Sequence, residues 1–369
     1  MSYQKHAGAV RRFAKAVKLG TWIQELPNKL TPPPFRLMQI GSSFWQSRAL
    51  YVAIRLDIAS ILGDDEQNAN QLAEKLKGDP KAISRLMRFL LAMGIFEEVS
   101  PKSYRNNTLS EYLRTDNPEN VCAMILMHNS EAMSRPWYEQ LENGLREGVP
   151  PFQLVHGEPL FSYLDKHADM DALFSNAMNC VEALSGDSYA TDFDWSRFKR
   201  IIDLGGSRGL KSLTIVNKHP HLTSLVVDRA PVISEAMDYW AKHKKDGIQQ
   251  LSFEAGDLLK SIPSAQDKYD IYLLSAVLHG FDDDTCTIIL GNLADAIGQS
   301  GARCAIIEMV LPETNVDMAG AAFDMQMFMG TYGRERTLAE WKLLIEGAKL
   351  KLEEIVGLRP FGNILVLRK

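Results

Sequence analysis

A chain of 369 residues has room for two or three domains, at roughly 100–200 residues each. Hydrophobic residues make up 46% and charged residues 24%, with 16 Pro and 25 Gly, which excludes disordered, collagen-like and low-complexity classes. Forty-one Lys and Arg against 46 Asp and Glu give a net charge of −5, without the basic excess that a nucleic-acid or anionic-membrane surface needs.

The four cysteines, Cys122, Cys180, Cys286 and Cys304, make no CxxC pair, so neither a metal cluster nor a disulfide framework is expected. No apolar run nears the roughly 20 residues of a membrane span, and no secretory signal is present, so a soluble, cytoplasmic protein is expected. Residues 1–40 are basic (Arg11, Arg12, Lys15, Lys18, Lys29 and Arg36 against Glu25) and poor in serine. They read as a structural arm, bounded at 1–34, rather than a transit peptide.

From 35 to 115 apolar residues recur at helical spacing, predicting short helices over 44–50 and 52–62. Asn70 precedes a further helix, Asp79-Pro80 opens the next, and Gly94 closes it. Two short strands follow, at 95–99 and around Tyr104. Helix, turn, helix and hairpin is the order of a winged helix, most often a DNA reader. Here the second helix carries Ile83, Leu86, Met87, Phe89, Leu90, Leu91 and Met93 against Lys81, Arg85 and Arg88, too apolar for a nucleic-acid groove. A second copy of the chain is the expected cover, giving a homodimer. Residues 116–198 are helical and rich in Met and aromatic side chains, which suit either a core or a pocket for a flat aromatic ligand.

From 199 to 369 short apolar runs alternate with helices. Strands are expected at 200–204, 222–227, 251–254, 269–274 and 303–308, with a terminal pair at 350–358 and 363–367. Continuous apolar strands separated by helices mean a doubly covered parallel sheet, hence an α/β class.

Ligands bind beyond the carboxyl ends of such strands, and Ile201-Ile202-Asp203-Leu204-Gly205-Gly206-Ser207-Arg208-Gly209 is a strand entering a glycine turn. A nicotinamide-type G-x-G-x-x-G needs glycines where Ser207 and Leu210 stand, so the dinucleotide fingerprint fails. Asp228 ends the next strand, placed to take two ribose hydroxyls, and Asp257 follows the third, where it can face an adenine amino group. A nucleoside-bearing cofactor without a pyrophosphate is implied. His279 follows the fourth strand on the same rim, and Glu308 and Glu335 are expected to converge on it, raising its pKa and fixing its tautomer as a general base requires.

From about residue 35 onward the chain resembles the class I S-adenosylmethionine-dependent small-molecule O-methyltransferases with an N-terminal winged-helix dimerisation domain. That family includes plant caffeate and isoflavone enzymes and bacterial polyketide and phenazine enzymes. The resemblance rests on Asp203-Leu204-Gly205-Gly206, Val227-Asp228, Gly256-Asp257-Leu258, Val277-Leu278-His279, Ile307-Glu308, Leu311-Pro312-Glu313, Phe323-Asp324-Met325 and Gly333-Arg334-Glu335-Arg336-Thr337. It implies a Rossmann-like doubly wound sheet (199–369) behind a mostly helical dimerisation domain (35–115) and a helical substrate-lining region (116–198).

It also implies S-adenosyl-L-methionine held by Asp203, Gly205, Asp228, Asp257 and Leu258, with Ser275 near the sulfonium side. His279 would be the base toward a phenolic hydroxyl of a small aromatic substrate, flanked by Glu308 and Glu335, with Met178, Asp324 and Met325 at pocket positions. Metal, nucleic acid and membrane have no part in this reading. Departures from the family pattern are Ser207 for glycine, Arg208 for a small or neutral residue, Gly280 for aspartate and Phe281 for tryptophan. Arg208 either pairs with the cofactor carboxylate or disturbs the loop. Two alternatives are a cofactor-binding relative that does not methylate, and a winged-helix ligand-sensing regulator.

Overall fold

A computed structural model describes residues 2–243, 245–359 and 362–369, apart from the side chains of 181–185. The chain divides into two compact units, Gly20–Glu147 with Pro151–Leu184, and Met1–Leu19 with Gly148–Pro150 and Ser185–Lys369. No described helix is long and apolar enough to cross a membrane.

In the first unit a small sheet of β1 (Gln67–Asn68), β2 (Phe96–Ser100) and β3 (Ser103–Asn106) runs antiparallel in the order β1-β3-β2. Helix Pro80–Ala92 opens as its sequence dictates. Asp79 accepts from the Ala82 N–H at 2.8 Å, and Pro80 occupies the first turn, where no amide proton is needed. Ile83, Met87 and Leu90 lie on one face and are buried against Ile54, Ile58, Leu62 and Leu72. Two local expectations fail. One helix runs through Phe44–Arg55, and the break falls at Asp57 (φ 50°) rather than near 51. Asn70 lies inside helix Ala69–Leu76 rather than before it, and Asn68 caps the helix, exchanging hydrogen bonds with Gln71 in a capping box. Phe35, Leu37, Met38, Ile40 and Trp45 stay exposed.

Among the described residues, the second unit is built on a seven-stranded sheet of β4 (Arg200–Leu204), β5 (Thr223–Asp228), β6 (Leu251–Ala255), β7 (Asp270–Ser275), β8 (Arg303–Glu308), β11 (Lys351–Gly357) and β12 (Asn363–Arg368), with a separate short pair of β9 (Val310–Leu311) and β10 (Arg336–Thr337). The order is β11-β12-β8-β7-β4-β5-β6, with β4 to β8 parallel and β12 antiparallel to both neighbours. Alternate residues of a strand face opposite ways, so Ile202, Leu204, Tyr272, Leu274 and Ile306 pack on one face. Ile201, Ile271, Leu273, Ala305 and Val366 pack on the other. Because both faces are covered, the strands must be apolar throughout, which is why they read as runs rather than alternations.

The first residues of the N-terminal segment pack within the second unit. Tyr3 is buried, stacked on Phe193 and Phe198, its N–H donates to Glu354 at 2.8 Å, and Gln4 bridges to Phe193. Helix Ala7–Leu30 follows, with none of its residues buried.

Candidate active site

Strand order reverses between β4 and β7, and the segments leaving their carboxyl ends meet there. Gly205 (φ 73°) occupies the meeting point, where a Cβ would lie 2.8 Å from Val277. At Gly206 a Cβ would overlap the Asp203 carboxyl at 2.6 Å, and at Gly256, after β6, one would lie 2.7 Å from Val227. These approaches leave bare backbone beside the strand ends.

Asp203 is buried beneath this turn rather than presented above it. Its Oδ2 accepts from the Ser212 hydroxyl at 2.7 Å, and Ser212 in turn accepts from Ser224 at 2.9 Å. Asp228 stands at the rim, its Oδ2 accepting from the Ser207 N–H at 2.9 Å and its Oδ1 from the Arg229 N–H at 2.7 Å. Each oxygen keeps a second lone pair for a ligand hydroxyl. Asp257 is exposed and accepts from the Leu259 N–H at 3.0 Å. Lys260, 3.0 Å away, holds its carboxyl below the usual range. Leu258 and Ser275 are half-buried at the same strand ends.

The unusual residues of the turn are accommodated. Ser207 takes the left-handed conformation (φ 52°) that a glycine would have. Arg208 turns to helix Ala230–Lys242, paired with Glu235 at 2.6 Å and lying 4.5 Å over the Tyr239 ring. Nothing lies within 4 Å of where a Gly280 Cβ would sit, and Phe281 packs against the core of the sheet.

His279 lies in the turn Leu278–Gly280 after β7. Glu308 ends β8, and Glu335 immediately precedes β10; the parallel pairing of Arg336 with Val310 sets the two carboxylates side by side. Nδ1 of His279 is 2.8 Å from Glu335 Oε1 and 3.6 Å from Glu308 Oε2. In the neutral imidazole this contact places the proton on Nδ1, donated to Glu335, and leaves Nε2 as the nitrogen with the lone pair. Glu308 Oε1 accepts from the N–H groups of Val277 (3.0 Å), Leu278 (3.0 Å) and His279 (3.4 Å), fixing the turn from below.

Burial alone would lower the imidazole, but the charges of Glu308 and Glu335 outweigh it and raise its pKa from 6.5 to about 9. Burial pushes the Glu308 carboxyl up. The donor atoms of His279, Glu308 and Glu335 lie within 4.8 Å of one another, close enough to share one cation.

Helix Met318–Gly330 supplies two further predicted residues. Met325 is half-buried, and Asp324 accepts from the Glu335 N–H at 2.9 Å, so it braces the carboxylate that holds His279. Phe323, not singled out from the sequence as a site residue, stacks beside His279 with ring centroids 6.2 Å apart. Met178 belongs to the other unit, on helix Ala168–Ser185, and is exposed.

A family model described as the O-methyltransferase domain matches residues 138–351, and one described as the O-methyltransferase dimerisation domain matches 38–116. The chain belongs to the O-methyltransferase family. This methyltransferase is 30% identical over 331 residues to phenazine-1-carboxylate N-methyltransferase of Pseudomonas aeruginosa, covering 89% of this chain and 96% of that one. It is 28% identical over 321 residues to the phenazine O-methyltransferase PhzM of Lysobacter antibioticus, covering 87% and 92%.

Among solved structures, a methyltransferase in calicheamicin biosynthesis, in its SAH-bound form, is similar at a TM-score of 0.77 and 26% identity, covering 90% of this chain and 97% of that one. The methyltransferase uses S-adenosyl-L-methionine as its cofactor. Bare backbone at 205–206 with carboxylates at two adjacent strand ends fits an adenosyl group, which offers two ribose hydroxyls and an exocyclic amine.

Proposed function

We propose that the protein is an O-methyltransferase acting on a hydroxyl of a small, flat aromatic natural product, with His279 as general base. The observation that carries this reading is the imidazole anchored through Nδ1 to Glu335, with Nε2 available to accept a proton. Relatives named for phenazine, mitomycin and aminohydroxybenzoate methylation support the substrate class. Other relatives are named as N-methyltransferases; a phenolic hydroxyl, unlike a neutral nitrogen, becomes a good nucleophile only as its proton is taken, which is the step the His279 geometry suits.

Asp228 would take the ribose hydroxyls, Asp257 and Leu258 the adenine, and Gly205 and Ser275 the methionyl part, with Asp203 acting from beneath through Ser212. When bound, the cofactor would supply a methyl group on a sulfonium, whose carbon–sulfur bond breaks as S-adenosylhomocysteine leaves. Nε2 of His279 takes the hydroxyl proton as the new oxygen–carbon bond forms, and Glu335 and Glu308 balance the imidazolium charge. Alignment and exclusion of water are the protein's remaining contributions. Phe323 and Met325 would line the acceptor side of His279. Residues 35–115 are assigned as a winged-helix-like dimerisation domain within a homodimer, following the basic arm at 1–34. Residues 116–198 are assigned to substrate lining and 199–369 to catalysis.

A base must be neutral to accept a proton, and the raised pKa sets the pH range. Two units below a pKa only about 1% of the imidazole is neutral. Turnover, followed as S-adenosylhomocysteine release from hydroxynaphthoic acids and hydroxyphenazines, is therefore expected to climb between pH 6.5 and 9 and then level off. The climb is expected to vanish in His279→Ala. A wild-type rate flat across that interval would argue against His279 as the base.

A further inference from the structure

We propose that Arg336 is the positioning residue for the His279 base, its guanidinium clamping both backbone carbonyls that bracket the His279 turn. The proposal deepens the reading of His279 as base and rests on it. An arginine side chain only 1% exposed must be fully paired to be tolerated, and this one is. Nη1 donates to the Leu278 carbonyl at 3.1 Å and Nη2 to the Phe281 carbonyl at 2.9 Å. Nε donates to Asp283 Oδ1 at 2.9 Å, and the guanidinium lies 5.4 Å from the Trp341 ring centre.

The clamp is anchored from several directions. Asp283, at the start of helix Asp283–Ile297, also receives Arg334 at 2.6 Å. Arg334 donates to Glu340 at 2.6 Å, whose other oxygen accepts from the Thr337 N–H at the start of helix Leu338–Gly347. Arg336 thus holds carbonyl groups of the turn while Glu308 holds its N–H groups. The adjacent residue, Glu335, takes the imidazole. One two-residue unit therefore fixes both the backbone and the ring of the base.

A lysine would keep the charge but could not bridge two carbonyls and a carboxylate, because it lacks the planar fork. Arg336→Lys separates position from charge for this reason. The charged groups facing His279 are Glu308, Glu335 and Arg336 itself, and Asp283, Arg334 and Asp324 stand behind them. With the cation retained, a change in His279 titration reports movement away from the carboxylates.

The test uses the full chain labelled with [13C]histidine, with the His279 signal among the eight histidines assigned by His279→Ala. In Arg336→Lys the His279 pKa is expected to fall from about 9 toward 6.5. With a hydroxynaphthoic acid probe, kcat on the plateau above pH 9, where the imidazole is neutral in both proteins, should drop roughly 10- to 100-fold, as for a displacement near 1 Å, while S-adenosylmethionine affinity by calorimetry holds. Asp283→Asn should move both quantities the same way by less, and it decides the matter if Arg336→Lys fails to fold.

A lower melting temperature with unchanged His279 titration and unchanged kcat would overturn the proposal, leaving Arg336 a packing element. If His279→Ala is inactive while both clamp variants match wild type, only this inference falls. If His279→Ala keeps full turnover, the base assignment fails, and with it the catalytic meaning of the clamp.

Discussion

Replacing His279 with alanine is expected to lower kcat about 10²- to 10⁴-fold, the usual contribution of a positioned general base, while S-adenosylmethionine affinity stays at the wild-type level. The separation follows from the geometry. The proposed cofactor contacts lie at the ends of β4, β5 and β6 and at Ser275 closing β7, whereas the His279 ring is tied to Glu308 of β8 and Glu335 before β10. Removing the imidazole leaves Gly205, Asp228 and Asp257 in place and deprives the acceptor hydroxyl of its base. It also leaves two buried carboxylates, Glu308 and Glu335, without the imidazolium that offsets their charges. Some loss of thermal stability below pH 9 should accompany the loss of turnover. The stability term has a definite sign. A group whose pKa is raised on folding stabilises fully below its unfolded value, near 6.5, and that contribution is lost as the pH rises through about 9. Wild type and His279→Ala melting temperatures should therefore converge at high pH. Differential scanning fluorimetry across that interval, with initial-rate kinetics, measures both effects.

The second large effect is expected at Gly333. A Cβ there would lie 1.9 Å from the His279 carbonyl oxygen, 2.5 Å from the Gly280 carbonyl carbon and 2.7 Å from the Phe281 nitrogen. These are backbone atoms of the turn that carries the base, and no side-chain rotation relieves the overlap. Gly333→Ala must push apart the His279 turn and the segment bearing Glu335 and Arg336, at a cost of about 1–3 kcal/mol from overpacking. A shift of that size between base and carboxylate should reduce kcat roughly 100-fold. The neighbouring control is Gly280→Ala, where no atom lies within 4 Å of the added methyl group. It should fold and turn over like the parent. Equal tolerance of both substitutions would mean that the two segments are not held in close contact.

The catalytic sheet was legible because its strands are buried on both faces and so spell continuous apolar runs. The expected β4 and β8 match the observed bounds, and the others differ by a residue or so at the ends. The Asp203 turn, the Asp228 strand end and the carboxylates about His279 followed from that order of strands, since parallel strands deliver their carboxyl ends to one rim. What escaped notice had no periodic signal. Tyr3 and Gln4 join the second unit through isolated contacts to Phe193, Phe198, Glu354 and Gly357, which no local pattern announces.

The break at Asp57 depends on a non-glycine residue in left-handed backbone, a conformation a sequence does not advertise. In the sequence Arg336 is only one member of a motif, because a buried arginine acquires meaning from the carbonyls it finds, here 55 and 58 residues away in the chain. The carboxylates of Asp203 and Asp324 serve neighbouring protein groups, the Ser212 hydroxyl and the Glu335 N–H, which no sequence pattern announces.

The central claim is that an imidazole oriented by Glu335 receives the acceptor's proton beside the adenosyl site. It is tested most directly by a crystal structure with S-adenosylhomocysteine and whichever hydroxynaphthoic acid or hydroxyphenazine is turned over fastest. The account predicts the acceptor oxygen at hydrogen-bond distance from His279 Nε2, about 2.6–3.2 Å, with Asp228 on the ribose hydroxyls. An acceptor hydroxyl facing another group, with His279 Nε2 contacting only protein, would contradict it.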